Sequence, residues 1–269
     1  MDLLQAIILG LVQGATEFIP VSSSGHLVLV PWLLDWGSPG LVFDTVAHWG
    51  TLVAVLVYFW RDWWALITAW LRGLVRWDWR DPQARLMWLL VVGSIPAVVI
   101  GYLLKDFFES LFAEPAWVSA FLLVTAGLLV LGERLGQRMR EIGDLCWLDA
   151  LLIGLGQAAA IAPGISRSGT TMATGLLRGL RRPAAARFSF LLATPVIFGA
   201  GLFKLVDLFA APNPLAQLPV LAVGFVAAAL SGYVCIWGLL RYLQQGKLYP
   251  FAAYCALVGG LCLVIALVR

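Results

Sequence analysis

Six apolar runs, at 42–60, 87–104, 117–133, 188–206, 218–240 and 250–268, constrain this chain more than any other feature. Each is close to the roughly 20 residues that a helix needs to cross the hydrocarbon of a bilayer. The composition agrees: 61% of the residues are hydrophobic and 12% are charged, against about 25% charged in soluble domains. In lipid a spanning segment must satisfy its own backbone hydrogen bonds, and continuous apolar runs do this as helices. The chain is therefore expected to be an all-α integral membrane protein, a single membrane domain over residues 1–269. Asp2 stands where a signal peptide would carry basic residues, so no cleaved leader is expected.

Charge sets the orientation. Loops 61–86, 134–147, 178–187 and 241–249 hold most of the Lys and Arg and are expected on the cytoplasmic side. Loops 105–116 and 207–217 then lie outside, as do both termini. In loop 61–86, Arg61, Arg72, Arg76, Arg80 and Arg85 alternate with Trp63, Trp64, Trp70, Trp77 and Trp79. That mixture predicts a short helix at the membrane interface. The arginines at 178–187 read as topology signals. The net charge of +3 gives no reason to expect a nucleic-acid partner. Cys146, Cys235, Cys255 and Cys262 have no metal or redox spacing and read as small hydrophobes. Pro31, Pro96 and Pro195 predict kinks or near-end breaks.

Two apolar regions are too short to span. Segments 3–12 and 27–34 flank a polar stretch, Gln13-Gly-Ala-Thr-Glu17-Phe-Ile-Pro20-Val-Ser22-Ser23-Ser24-Gly25-His26. Segment 148–162 is interrupted by Ala162-Pro-Gly164-Ile-Ser166-Arg167-Ser168-Gly169-Thr170-Thr171. Each reads as a re-entrant pair of half-helices buried within protein. The halves also repeat. At an offset of 144, Gly10, Gln13, Ser22, Ser24 and Gly25 match Gly154, Gln157, Ser166, Ser168 and Gly169. Farther along, Gly93 pairs with Gly224. Each half then holds one re-entrant pair and three spans, so halves 1–135 and 148–269 are expected to form an inverted repeat. In such folds the site sits near the midplane, where the two breaks meet.

The polar residues of the breaks suit a phosphate. Helix starts rich in Ser, Thr and Gly offer free amides, and Gly14, Gly25, Gly164 and Gly169 allow close backbone approach. Arg167 adds a charged fork that grips two oxygens. Glu17 suits a divalent cation bridging phosphate oxygens. Gln13 lies one turn before it on the same face. His26 is a candidate nucleophile or base, and Ser23 a candidate activated nucleophile. A bland alternative is a structural Glu17–Arg167 ion pair, with Ser22 and Ser24 as helix caps. Asp44 and His48, four apart at the start of the first span, are expected at the outer interface in a structural role.

Gln13-x-x-x-Glu17 with Pro20-Val21-Ser22-Ser23-Ser24-Gly25-His26, and Pro163-Gly164-Ile165-Ser166-Arg167-Ser168-Gly169-Thr170-Thr171, resemble the two signatures of the BacA/UppP family, the undecaprenyl-diphosphate phosphatases. The resemblance runs along the whole chain. It implies a multi-pass enzyme of the bacterial plasma membrane, with its site facing outside, acting on a polyprenyl diphosphate and dependent on a divalent cation (Mg²⁺ or Ca²⁺). It implies catalytic roles for Glu17, Ser23, His26 and Arg167, and metal binding by Gln13 and Glu17. Phosphate binding falls to Ser22, Ser24, Gly25, Gly164, Ser166, Ser168, Gly169, Thr170 and Thr171. Where the family's first motif position is Glu or Gln, this chain has Gln13, which leaves Glu17 as the one carboxylate. The alternative reading is a polyprenyl-phosphate flippase, alone or combined with hydrolysis. No oligomeric state is specified, a homodimer included.

Overall fold

The computed structural model describes residues 1–76, 80–210 and 214–269, with backbone alone for 203–210 and 214–217. Trp77, Trp79 and the middle of loop 207–217 lie outside the described residues. The first re-entrant pair is α1 (Leu3–Phe18) and α2 (Ser23–Leu33). Then come α3 (Gly40–Tyr58), α4 (Trp60–Arg76), α5 (Pro82–Leu103), α6 (Lys105–Leu111) and α7 (Pro115–Leu135). The second pair is α8 (Trp147–Ala159) and α9 (Arg167–Leu177), followed by α10 (Arg182–Ala210), α11 (Pro214–Tyr242) and α12 (Tyr249–Val268).

Six of these, α3, α5, α7, α10, α11 and α12, contain segments long and apolar enough to span. On α12 the side chains of Leu257, Leu261 and Val264 are 60–73% exposed. An open apolar stripe at helical spacing is what a lipid-facing surface requires. By contrast α1, with 16 residues, is about 24 Å long and stops short of the hydrocarbon thickness. It starts on a capping box between Asp2 and Gln5 and ends just before Pro20, which has no N–H to continue the ladder. The helix expected in the basic loop is α4. It buries Leu66, Ala69 and Gly73 and leaves Arg72 and Arg76 exposed, as an interfacial helix does.

The re-entrant helices pack closely on spans of the other half. Helix α1 lies along α11, and α8 along α5. A Cβ added at Gly10 would meet the Gly224 carbonyl oxygen at 2.5 Å, and one at Gly154 would meet that of Gly93 at 2.3 Å. Only glycine lets two helix backbones come this close.

The arginines of 178–187, read in the sequence as topology signals, also hold buried carboxylates. Arg178 Nε donates to Asp149 Oδ1 at 2.6 Å, and Arg140 NH2 to Oδ2 at 2.6 Å. Arg182 pairs with Glu133, which also accepts the Leu248 N–H at 3.1 Å. Asp149 and Glu133 are both fully buried. A buried carboxylate is stable only when paired and hydrogen-bonded, so these arginines are structural as well as topological.

Candidate functional site

The two breaks touch. A Cβ on Gly25 would lie 3.2 Å from the Gly164 Cα, and one on Gly169 would lie 3.4 Å from the Pro20 Cβ. Ser168 Oγ donates across to the Ile19 carbonyl at 3.3 Å. Both half-helices that leave the breaks are capped by serine. Ser22 Oγ accepts from the Gly25 N–H, and Ser166 Oγ from the Gly169 N–H, the usual job of an N-cap hydroxyl. The first amides of α2 and α9, on Ser23 and Ser24 and on Arg167 and Ser168, have no acceptor within their own helices.

The turns are fixed from outside. Gly164 has φ +98°, and a side chain there would strike the Val118 carbonyl at 2.2 Å. Thr125 of α7 holds this turn twice, donating to the Gly164 carbonyl at 3.0 Å and accepting from the Ser166 N–H at 2.9 Å. Ser22 has φ 71°, a left-handed conformation that is costly for a residue with a Cβ and is typically found at functional turns. Its carbonyl accepts from His26 Nδ1 at 2.7 Å.

Glu17 is the centre of the side-chain cluster. Arg167 NH2 donates to its Oε1. Ser23 Oγ donates to Oε2 at 2.5 Å and Gln13 Nε2 at 2.9 Å. His48 Nε2 stands 3.6 Å from the same oxygen, so His48 belongs to the site rather than to the outer interface. Its Nδ1 bonds to the Asp44 carbonyl one turn back, at 2.7 Å, and that bond turns the ring inward. Tyr254 of α12 is the other residue that sequence reasoning missed. Its hydroxyl is 2.7 Å from His26 Nε2, and the rings lie nearly parallel, 12° apart.

A cavity of about 820 Å³ opens over this cluster. Its polar floor includes Glu17, Ser22, Ser23, Ser24, His48 and Arg167, and its apolar walls include Leu27, Trp32, Trp36, Ile165 and Ile197. Glu109, Phe112 and Ala113, from the connection read as external, form part of the rim. Ser166, Ser168, Thr170 and Thr171 stand behind this wall. Thr170 bonds the Ser166 carbonyl at 2.7 Å, and Thr171 bonds the Arg167 carbonyl at 2.8 Å and the Ser189 hydroxyl at 2.7 Å. These hydroxyls brace the backbone that carries Arg167.

Two buried polar atoms at the site have no hydrogen-bond partner among the described residues: Arg167 NH1 and Gln13 Oε1. An unpaired buried donor or acceptor is costly, so each is a group that a bound ligand would satisfy. Arg167 NH1 suits an anion. The Gln13 carbonyl beside Glu17 is a hard oxygen donor of the kind that Mg²⁺ and Ca²⁺ take. The set fits a cation, although no group of three His, Cys, Asp or Glu side chains occurs among the described residues.

Among the described residues, six helices long and apolar enough to span and a cavity with a charged, hydroxyl-rich floor under apolar walls define a polytopic membrane protein with a buried polar site. Residues 6–261 match the family described as bacitracin resistance protein BacA. The chain is 47% identical over 269 residues to the undecaprenyl-diphosphatase of Desulforudis audaxviator (strain MP104C), covering 100% of both. It is 43% identical over 273 residues to that of Thermomicrobium roseum (strain ATCC 27502 / DSM 5159 / P-2), covering 98% of each. With that of Moorella thermoacetica (strain ATCC 39073 / JCM 9320) it shares 42% over 270 residues and the full length of both. The chain belongs to the bacitracin resistance protein BacA family.

Proposed function

We propose that this chain is an integral-membrane phosphatase that hydrolyses undecaprenyl diphosphate to undecaprenyl phosphate and inorganic phosphate, returning the lipid carrier to cell-wall synthesis. The observation that carries the reading is Arg167. One nitrogen is committed to Glu17 while the other, NH1, has no partner among the described residues. Arg167 lines a cavity whose walls would accept an isoprenoid tail.

The roles follow from the contacts. Arg167 NH1 and the first-turn amides of α2 and α9 bind phosphate oxygens. Ser22, Ser24 and Gly25 shape the α2 turn, while Gly164, Ser166, Ser168, Gly169, Thr170 and Thr171 set the turn that aims Arg167. Ser23 Oγ, oriented by its hydrogen bond to Glu17 Oε2, attacks the terminal phosphorus as its proton passes to an oxygen of the departing lipid phosphate. The bond from that phosphorus to the bridging oxygen breaks, and the lipid monophosphate leaves. Water then cleaves the phosphoseryl bond, its oxygen joining phosphorus and a proton of the water returning to Ser23. His26 has both ring nitrogens engaged, by the Ser22 carbonyl and the Tyr254 hydroxyl. That geometry favours a role in holding the α2 turn and the site's shape over attack on phosphorus. Gln13 and Glu17 would hold Mg²⁺ or Ca²⁺, which when bound neutralises charge on the transferring phosphoryl group.

The two halves are read as an inverted repeat of one domain. Gly10 meets Gly224 and Gly154 meets Gly93, so each repeat-matched glycine packs on the counterpart of the other's partner. The site is read as facing outward across the bacterial plasma membrane, because its rim includes Glu109 and Phe112 while the arginine-rich connections lie among the buried carboxylates of α7 and α8.

The test is phosphate release from a C15 or C55 prenyl diphosphate by the purified chain, with and without EDTA. Cation-dependent release that is lost in Arg167→Ala is expected. No release from well-folded protein would sink the enzyme reading in favour of a carrier.

A further inference from the structure

His48 is one of two histidines in the chain and lies in neither motif. Its Nδ1 is 2.7 Å from the Asp44 carbonyl oxygen, which can only accept, so Nδ1 donates there and in the neutral imidazole the lone pair falls on Nε2. That nitrogen is 3.6 Å from Glu17 Oε2, and His48 lines the cavity. His26 is anchored on Nδ1 in the same way, but its Nε2 already faces the Tyr254 hydroxyl at 2.7 Å. Of the two imidazoles, His48 is the one that turns its lone pair toward the carboxylate.

Metal-bound histidines are held in this way, one ring N–H on a backbone carbonyl fixing the tautomer while the other nitrogen faces the ion. The 3.6 Å between Nε2 and Oε2 is too long for a good hydrogen bond. It is slightly beyond the spacing of two donors that share an ion, since donors about 2.1 Å from one centre stand about 3.0–3.4 Å apart. The buried Gln13 carbonyl, without a partner among the described residues, is a further oxygen donor close by, two bonds from the amide nitrogen that contacts that Glu17 oxygen at 2.9 Å.

We infer that His48 Nε2 is a ligand of the site's divalent cation, together with Glu17 and the Gln13 carbonyl. The imidazole supplies the donor that a second carboxylate would have given at position 13. A mixed nitrogen–oxygen set binds Mn²⁺, Co²⁺ and Zn²⁺ better, relative to Mg²⁺ and Ca²⁺, than an all-oxygen set does. The inference rests on the phosphatase reading only in taking a cation to be part of this site.

The test uses the full chain in detergent, without substrate. Mn²⁺ is added as the probe, and pulsed paramagnetic resonance reads nitrogen directly bound to the ion. Imidazole nitrogen coupling is expected in the wild type and in His26→Gln, and its loss in His48→Gln. Calorimetry should show His48→Gln weakening Co²⁺ binding by about ten-fold or more, with Ca²⁺ changed less than about three-fold. The inference is overturned by a bound Mn²⁺ signal without nitrogen, by coupling that survives His48→Gln, by equal weakening of Co²⁺ and Ca²⁺, or by no cation binding. The wild-type spectrum decides even if the variant fails to fold. Phosphate release is measured in parallel. Release without nitrogen coupling keeps the phosphatase and removes the ligand; coupling without release does the reverse.

Discussion

Arg167 holds two jobs on one planar group, and lysine cannot copy that arrangement. Its NH2 is committed to Glu17, and its NH1, without a partner among the described residues, is the nitrogen the proposed mechanism gives to the phosphate. An ammonium is a point charge without the fixed fork. In Arg167→Lys the ion pair to Glu17 survives at the expense of the phosphate, so kcat/KM for a prenyl diphosphate should fall roughly 100-fold with the melting temperature nearly unchanged. Arg167→Ala differs because it leaves buried Glu17 uncompensated, at a cost of about 3 kcal/mol. Its melting temperature should therefore drop as well, and equal melting for the two variants would refute the double role. Tyr254→Phe removes one neutral hydrogen bond from His26 Nε2, worth about 1 kcal/mol. A loss of about five-fold in kcat is expected, and an unchanged rate would make the contact incidental. The residues around Glu17 were legible in the sequence because polar groups inside an apolar chain are conspicuous. His48 and Tyr254 were not. Each sits in an ordinary spanning helix, and Tyr254 lies 228 positions from His26, so no local pattern announces the pairing.

Among the helices, close approach decides position. The six spans, a helix in the basic loop and both broken segments were readable from hydropathy, charge and proline. The partners of the broken segments were not, because α1 on α11 and α8 on α5 are crossings between distant parts of the chain. The repeated glycines carried the hint, since glycines at matched positions of both halves are where two helix backbones can approach closely. The prediction is differential. Gly154→Ala drives a Cβ into the Gly93 carbonyl at 2.3 Å, whereas Gly127, on α7, has nothing within 4 Å. Overpacking against backbone should cost Gly154→Ala about 2 kcal/mol. Gly127→Ala should be neutral or gain up to about 1 kcal/mol from helix propensity. Thermal melting of both variants in one detergent checks this, and a neutral Gly154→Ala would mean that the crossing is slack.

Over the whole molecule the two ends are built differently. The end with the cavity is open, and its charged floor is satisfied only in part. The opposite end is closed by two buried carboxylates, Glu133 and Asp149, each held by arginines from other elements. This division lets the site stay open to a lipid while the bundle is locked elsewhere. Asp149 gives a way to test the lock by pH. Burial alone would raise its pKa. Hydrogen bonds from Arg140, the Cys146 N–H and Arg178 outweigh that and hold it well below the usual value of 3.8. A depressed carboxyl stabilises the fold above its unfolded pKa and loses that contribution as pH falls through the folded value. Arg140 and Arg178 are each about one-third exposed. With that screening, Asp149→Asn should cost roughly 1–2 kcal/mol at neutral pH. The wild type should therefore melt above the variant at pH 7, and the gap should narrow once pH drops below about 4. A gap that stays constant into acid would mean that the carboxylate's charge does not hold this end together, and that the shape of the side chain alone does.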